Sequence, residues 1–341
     1  MLLSSDDSCY GLKMEIIPRK LDLPTNSVEV FGKTRLLPTV ISDSGPSGRF
    51  VWEEFFSASI RNRHTRVAYL RAVEKFLAWC ADRKLALHQI APAHVGNYLD
   101  AHSGAIPTKK LDLAALRKFF DLLVLRHVIV LNPASCVRGE RYQVIEGKTP
   151  EVGSNQARQL LRSIRLETVV GVRDQAIIGL LIYTAVRVGA IAKLNLGDLH
   201  HDGTQNVFRF LEKGGKVREI PARHDLDAMI FQYLHAAGAA IGDRSEPMFR
   251  TARGRTNELT TRRMSAIDMC RMVKRRLKEA GLPMRISPHS FRTATITDLL
   301  EQGVPLEDVQ FLAGHADPRT TRLYDRRQRR VTRNIVERIS I

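Results

Sequence analysis

The chain is 341 residues long and carries 53 lysines and arginines against 36 aspartates and glutamates, a formal net charge of +17 at pH 7. That length predicts roughly two domains rather than one small module, and a 44% hydrophobic fraction with 26% charged residues excludes a disordered chain. So positive a balance points to a polyanionic partner, nucleic acid first, and 39 of the 53 basic side chains are arginine, whose planar fork grips phosphate oxygens two at a time.

Residues 1–46 mix Pro18, Pro24 and Pro38 with a Ser/Asp/Gly cluster and carry no sustained periodicity, which predicts an arm or tail. From Arg61 to Lys84 the apolar Val67, Leu70, Val73, Phe76, Leu77 and Cys80 recur at steps of three and four. Arg61, Arg63, Arg66, Arg71 and Lys75 mostly fall elsewhere, so the expected helix has one basic side. Two more helices are expected at Ala93–His102 and Leu111–Val128, the latter stopped by Asn132-Pro133, and residues 47–136 read as a helical, basic, DNA-binding domain. Residues 137–154 turn polar and glycine-rich, carry Arg138 and Arg141, and read as a linker.

Residues 155–330 form the second expected domain. Helical patterns resume at Asn155–Ile164 and Val170–Val186, where the apolar run Ala176–Val186 suits a buried helix but falls short of the ~20 residues needed to cross a bilayer. The period then changes. Asn206–Leu211 and Val217–Ile220 flank a Gly-Gly turn and predict a β-hairpin with Lys213 and Lys216 at its tip. Helices follow at His224–Ala237, Ser265–Ala280, Ser290–Gln302 and Pro305–Leu312, the first of the last three carrying Arg271, Lys274 and Arg275. Residues 331–341 hold an apolar stripe of Val331, Ile335, Val336 and Ile339 that suits one further helix.

Several chemistries are excluded. Cys9, Cys80, Cys136 and Cys270 have no paired spacing, which argues against a thiolate zinc site and a disulfide scaffold and suits a reducing cytoplasm. The N-terminus carries Asp6 and Asp7 and no apolar core of signal-peptide length. No G-x-x-x-x-G-K-[ST] loop, H-E-x-x-H helix or carboxylate cluster spaced for two metals occurs, so neither a metal nor a nucleotide cofactor is expected.

The residues that suggest chemistry lie near the carboxyl end. His289 and Arg292 are three apart, so a helix beginning near Ser290 turns both toward one point at its N-terminal end, where the macrodipole favours an anion. Gly314 ends a short helix and presents His315 from the turn. Nine residues on, Tyr324 lies in a polar, arginine-rich stretch with no evident core to fill. Taken singly, each group has an ordinary role as a helix cap, a solvated turn residue or a satisfied structural side chain. Their joint order and spacing suit a site that acts on phosphate.

H-x-x-R at 289–292, Gly-His at 314–315 and a tyrosine nine residues later resemble the C-terminal signature of the tyrosine recombinase (phage integrase) family. LIYTAVRVGAIAKLNLGDL resembles that family's first arginine box and places its arginine at Arg187, and LEKGGKVREIPA resembles its β-hairpin box and places its lysine at Lys213. Glu212 stands where the family has glycine, Ala-Gly-His replaces the common Leu-Gly-His, and Thr293-Ala294 follow Arg292 where many members have His-Thr. The match covers about residues 150–328, and the helical region before it is similar to the family's core-binding domain only in character.

The resemblance implies a mainly α fold: an N-terminal helical, SAM-like core-binding domain and an α-helical catalytic domain with a small antiparallel β-sheet, the DNA breaking-rejoining enzyme fold. It implies a site-specific recombinase that cuts and rejoins DNA through a 3′-phosphotyrosyl intermediate and exchanges strands between two sites. Tyr324 is then the nucleophile, Arg187 and Arg292 clamp the phosphate, Lys213 is the acid, His289 helps remove the phenolic proton and His315 hydrogen-bonds the phosphate. The implied partners are double-stranded recombination sites, further copies of the chain forming a dimer to tetramer on DNA with residues 331–341 docked on a neighbour, and an accessory DNA-bending protein or partner recombinase. No membrane partner is implied, and the implied location is the prokaryotic cytoplasm, at the nucleoid. Arg61, Arg63, Arg66, Arg71, Lys75, Arg138, Arg141, Lys216, Arg271, Lys274 and Arg275 are the candidate DNA contacts. The alternatives are a type IB topoisomerase-like relaxing enzyme and a catalytically silent DNA-binding regulator, the latter at odds with six intact groups.

Overall fold

Apolar side chains collect into separate cores in two units, residues 1–143 and 144–341. The computed structural model describes residues 27–30, 33–142, 149–150, 152–212, 215–239, 243–254, 256–325 and 337. The fold is mainly α with small antiparallel sheets.

In the first unit β1 (Ser27–Val30) pairs antiparallel with β2 (Lys33–Leu36). Five helices follow: α1 (Thr39–Ser42), α2 (Gly45–Glu54), α3 (Arg63–Ala81), α4 (Pro92–Ala101) and α5 (Ile106–Leu125). Asn62 starts α3 by accepting from the backbone N–H groups of His64 and Thr65, and the helix buries Leu70, Val73, Phe76, Leu77 and Cys80, the face its spacing predicts. A π-helical turn, Phe55–Ser59, continues α2 and brings Phe55 and Phe56 into one core with Trp52 and Phe119. Their rings meet edge to face, at 4.7 Å for Trp52–Phe56 and 5.2 Å for Phe55–Phe119. Leu37, Val40 and Ile41 join that core although no periodicity announces them, because a four-residue helix is too short to show one.

The second unit runs α6 (Ser154–Ser163), α7 (Val169–Tyr183), α8 (Val188–Ile191), β3 (Leu199–His201), β4 (Asn206–Leu211), β5 (Val217–Pro221) and α9 (His224–Ala236). It continues with β6 (Arg250–Ala252), β7 (Leu259–Arg263), α10 (Ala266–Glu279), α11 (Pro288–Glu301), α12 (Leu306–Ala313) and α13 (Pro318–Arg322). β3, β4 and β5 form one antiparallel sheet in that order, with Phe208 opposite Ile220 and Phe210 opposite Arg218. Val172, Ala176, Ile177, Ile178, Leu180 and Leu181 are all buried on α7, which its apolar run explains. The helix stops at Tyr183 rather than at Val186: Ala185 sits at φ 51°, in the left-handed region, and turns the chain. Among the described residues no helix is long and apolar enough to cross a membrane.

Candidate active site

Four segments of the second unit converge. At the end of α7 the Thr184 hydroxyl donates back to the Leu180 carbonyl at 2.6 Å, and Ala185 accepts a backbone strain of about 1–2 kcal/mol. Its carbonyl then faces Arg292 and accepts from one guanidinium nitrogen, while the Ala313 carbonyl at the end of α12 accepts from the other at 2.5 Å. Arg292, in the second turn of α11, is only 1% exposed, and its Nε has no hydrogen-bond partner among the described residues. Burial first, and then the charge of Arg187, bring its pKa down to about 10, so it stays cationic at neutral pH. Arg187, the residue just before α8, keeps 47% of its side chain exposed.

The hairpin supplies the opposite charge. The Glu212 amide donates to the Lys216 carbonyl at 2.8 Å where the strands part. The buried carboxylate of Glu212 accepts from Arg218 Nη2 at 2.7 Å and lies 3.5 Å from Arg187 Nη1. Arg218 also donates to the Phe311 carbonyl at 3.3 Å, and burial lowers its pKa despite the carboxylate.

Past α12, Gly314 takes φ +62°, a left-handed helix end that favours glycine. A Cβ there would stand 2.7 Å from Glu212 Oε2, so the close approach needs glycine a second time. His315 follows, 8% exposed, with Nδ1 2.9 Å from the Thr321 hydroxyl of α13. Tyr324, half-buried, stacks on His315 with ring centroids 5.9 Å apart and planes 10° from parallel, and packs against Ala185, Ile296, Leu300, Val309 and Ala313. The phenol thus has a small core to fill, contrary to the expectation from its polar neighbours. Burial, then Arg292, Arg187, His289 and Arg218, push the His315 pKa down to about 4. His289 is exposed, yet the protein around it and then Arg292 and Arg187 lower its pKa as well.

Arg187, His289, Arg292, His315 and Tyr324 are therefore brought together, and Lys213 lies outside the described residues, next in the chain to Glu212. Arg218 was missed as a site residue, and Glu212 was noted only as a departure from glycine. The signal for Arg218 is strand alternation, which places it on the same inward face of β5 as Ile220. A buried guanidinium needs acceptors for its donors, and at Arg218 the Glu212 carboxylate supplies one.

The basic candidates scatter. Arg61, Arg63, Arg71, Arg138, Arg141, Lys216 and Arg271 are exposed, whereas Arg66 donates from Nε to the Ile60 carbonyl at 2.8 Å. Lys75 Nζ lies 2.6 Å from His102 Nε2. On α10 the charge run overstates the free charge. Lys274 donates to the Met284 and Ile286 carbonyls, and Arg275, with Arg276, holds the fully buried Asp174. Among the described residues no three His, Cys, Asp or Glu are grouped to hold a metal ion.

The phage integrase family model matches residues 151–330, more than half of the chain. This chain belongs to the phage integrase family. The family's N-terminal SAM-like domain matches residues 52–127. The tyrosine recombinase XerD of Ralstonia nicotianae is 28% identical over 267 residues, 77% of this chain and 83% of that protein. The tyrosine recombinase XerC of Leptospira interrogans is 27% identical over the same length and the same shares. Among solved structures, a lambda integrase dimer bound to a COC′ core site superposes with TM-score 0.63 at 17% identity, over 90% of this chain and 80% of that one. XerH bound to a palindromic difH substrate gives 0.62 at 17% identity, over 80% and 78%. These likenesses establish the fold.

Proposed function

We propose that this integrase-family protein is a site-specific recombinase that cuts and rejoins DNA through a phosphotyrosine at Tyr324. The observation that carries the reading is a phenol stacked on a buried imidazole beside a buried guanidinium, with a second, half-exposed guanidinium able to reach an incoming anion. Tyr324 Oη attacks the scissile phosphorus, the bond to the 5′ oxygen breaks, and the 3′ side of the strand remains esterified to the tyrosine. Arg187 and Arg292 stabilise the extra negative charge of the five-coordinate transition state, a service for which preorganised cations are suited.

The proton transfers follow from the electrostatics. The Tyr324 phenol must lose its proton as it attacks. His289, whose pKa is lowered by its surroundings, is neutral at pH 7 and able to accept it. His315 is neutral for the same reason. The tautomer with hydrogen on Nε2 lets Thr321 donate to Nδ1 and leaves one N–H for a phosphate oxygen. Lys213, next in the chain to Glu212, donates a proton to the departing 5′ oxygen. The phosphotyrosyl ester keeps the bond energy, so a 5′ hydroxyl from another strand reverses the step without a nucleotide cofactor, and strand exchange needs two sites held by several protomers. The likeness to a lambda integrase tetramer bound to a Holliday junction supports that assembly. The exposed Arg61, Arg63, Arg71, Arg138, Arg141, Lys216 and Arg271 serve as backbone contacts.

The test is a duplex nicked near its recognition site, so that the fragment bearing the 5′ hydroxyl is lost after cleavage. The expected product is a covalent protein–DNA adduct on the 3′ phosphate that Tyr324→Phe abolishes. An adduct that survives Tyr324→Phe, or a supercoiled plasmid carrying two sites that is relaxed without recombinants, sinks the reading.

A further inference from the structure

We propose that Glu212 is a positioning residue for Arg187, a role that rests on the recombinase reading of the site. Its two oxygens are divided. One accepts from Arg218 at 2.7 Å, and the other faces Arg187 at 3.5 Å and the tight Gly314 turn that presents His315. Arg218 in turn donates to the Phe311 carbonyl on α12. One buried carboxylate therefore ties together the segment bearing Arg187, the hairpin bearing Lys213 and the turn bearing His315.

Stability alone does not account for it. A buried ion pair is costly to desolvate and is often replaceable by apolar packing at no loss. Here Arg218 Nε stays buried without a hydrogen-bond partner among the described residues, so among them the pair is not fully satisfied. What the carboxylate does supply is an anchor. Arg187 carries an exposed side chain with several rotatable bonds and would otherwise spread over many rotamers. It also faces repulsion from Arg292. Glu212 offsets that repulsion and holds the guanidinium on the pocket side. The contact is long enough to leave its other donors for a phosphate.

The experiment is single-turnover formation of the covalent adduct on the nicked duplex by the full chain, with DNA affinity measured in parallel. Glu212→Gln keeps the shape and removes the charge, and it is made alone and together with Arg187→Lys. The expected result is a roughly tenfold to hundredfold slower cleavage for Glu212→Gln, with DNA affinity within about twofold of the parent. In the Arg187→Lys background the same change costs less than about threefold, because the group it positions is already altered. Glu212→Asp, which keeps the charge on a shorter arm, falls between and carries the same comparison if the glutamine variant fails to fold. Equal costs in both backgrounds indicate a merely structural carboxylate and overturn the proposal. So does a Glu212→Gln protein that cleaves as fast as the parent, or faster, the latter marking a carboxylate that competes with phosphate. A parent protein that forms no adduct at all overturns the recombinase reading itself, whereas failure confined to the variants leaves that reading standing.

Discussion

Replacing His315 with glutamine should make the second unit markedly less sensitive to acid. In the folded protein the His315 ring is held neutral by burial and by the cations of Arg292, Arg187, His289 and Arg218, with a pKa of about 4 against an ordinary 6.5. Above pH 6.5 both folded and unfolded chains leave it neutral, and stability is unaffected. As pH falls below 6.5 the unfolded chain takes up a proton that the folded ring refuses, so stability drains away until about pH 4. The full loss is about 3 kcal/mol, and most of it is gone by pH 4.5. His289 is depressed in the same direction, so the His315 share is read as the difference between parent and variant. The assay is urea unfolding at pH 7.5 and 4.5 followed by far-UV circular dichroism. Both tryptophans, Trp52 and Trp79, lie in the first unit, and their fluorescence serves as the internal control. A parent and a His315→Gln protein with the same acid dependence would refute the electrostatic account of this pocket.

Three further outcomes follow from the geometry. Gly314→Ala places a Cβ 2.7 Å from Glu212 Oε2 at φ +62°; it should lower stability by about 1–2 kcal/mol and slow covalent trapping, and a parental melting curve and rate would show that the turn has room. Arg292→Lys puts a weaker base where arginine is already lowered to about 10; cleavage by that variant should fall as pH rises through roughly 8, whereas the parent stays flat, and parallel pH–rate profiles decide it. Phe119→Ala removes a ring that meets Trp52 and Phe55 in the first core; it should cost about 3–5 kcal/mol, read by tryptophan fluorescence in denaturant.

Long periodic elements were legible in the sequence. The face of α3, the strand Asn206–Leu211 and the glycine that ends α12 all stand where spacing and turn chemistry place them. Short elements were not. α1, α8 and α13 are each of five residues or fewer, and β6 and β7 are brief strands without a tight turn signature, so tertiary packing rather than local pattern decides them. The end of α7 misled for a related reason. Thr184-Ala185-Val186 continues an apolar run, but the Ala185 carbonyl is required as an acceptor by Arg292, more than a hundred residues away. Charge was misread in the same way. Lys274 and Arg275 look like part of a solvated basic face until two carbonyls of the following loop and Asp174, a hundred residues away, are seen to take them up. Arg218 and Glu212 belong to this class too, since only the fold makes them neighbours of Arg187.

The pocket has a charge deficit that a phosphodiester should fill. Arg187, Arg218 and Arg292 share one buried carboxylate, and the two histidines beside them are depressed by burial first and then because protonating either would add a further cation. A phosphate entering between Arg187 and Arg292 offsets that repulsion and raises both imidazole pKa values. Binding a cognate duplex at pH 5.5 should therefore take up protons, up to about one for each histidine, and affinity should strengthen as pH falls from 7 toward 5.5 by more than general surface charge explains. Calorimetry in two buffers of different ionisation heat measures the uptake directly. The His289→Gln, His315→Gln double variant should lose it while keeping the salt dependence set by the exposed arginines. Equal uptake in parent and double variant would mean that the phosphate does not sit between these two arginines, and the catalytic geometry would then have to be sought elsewhere on the same unit.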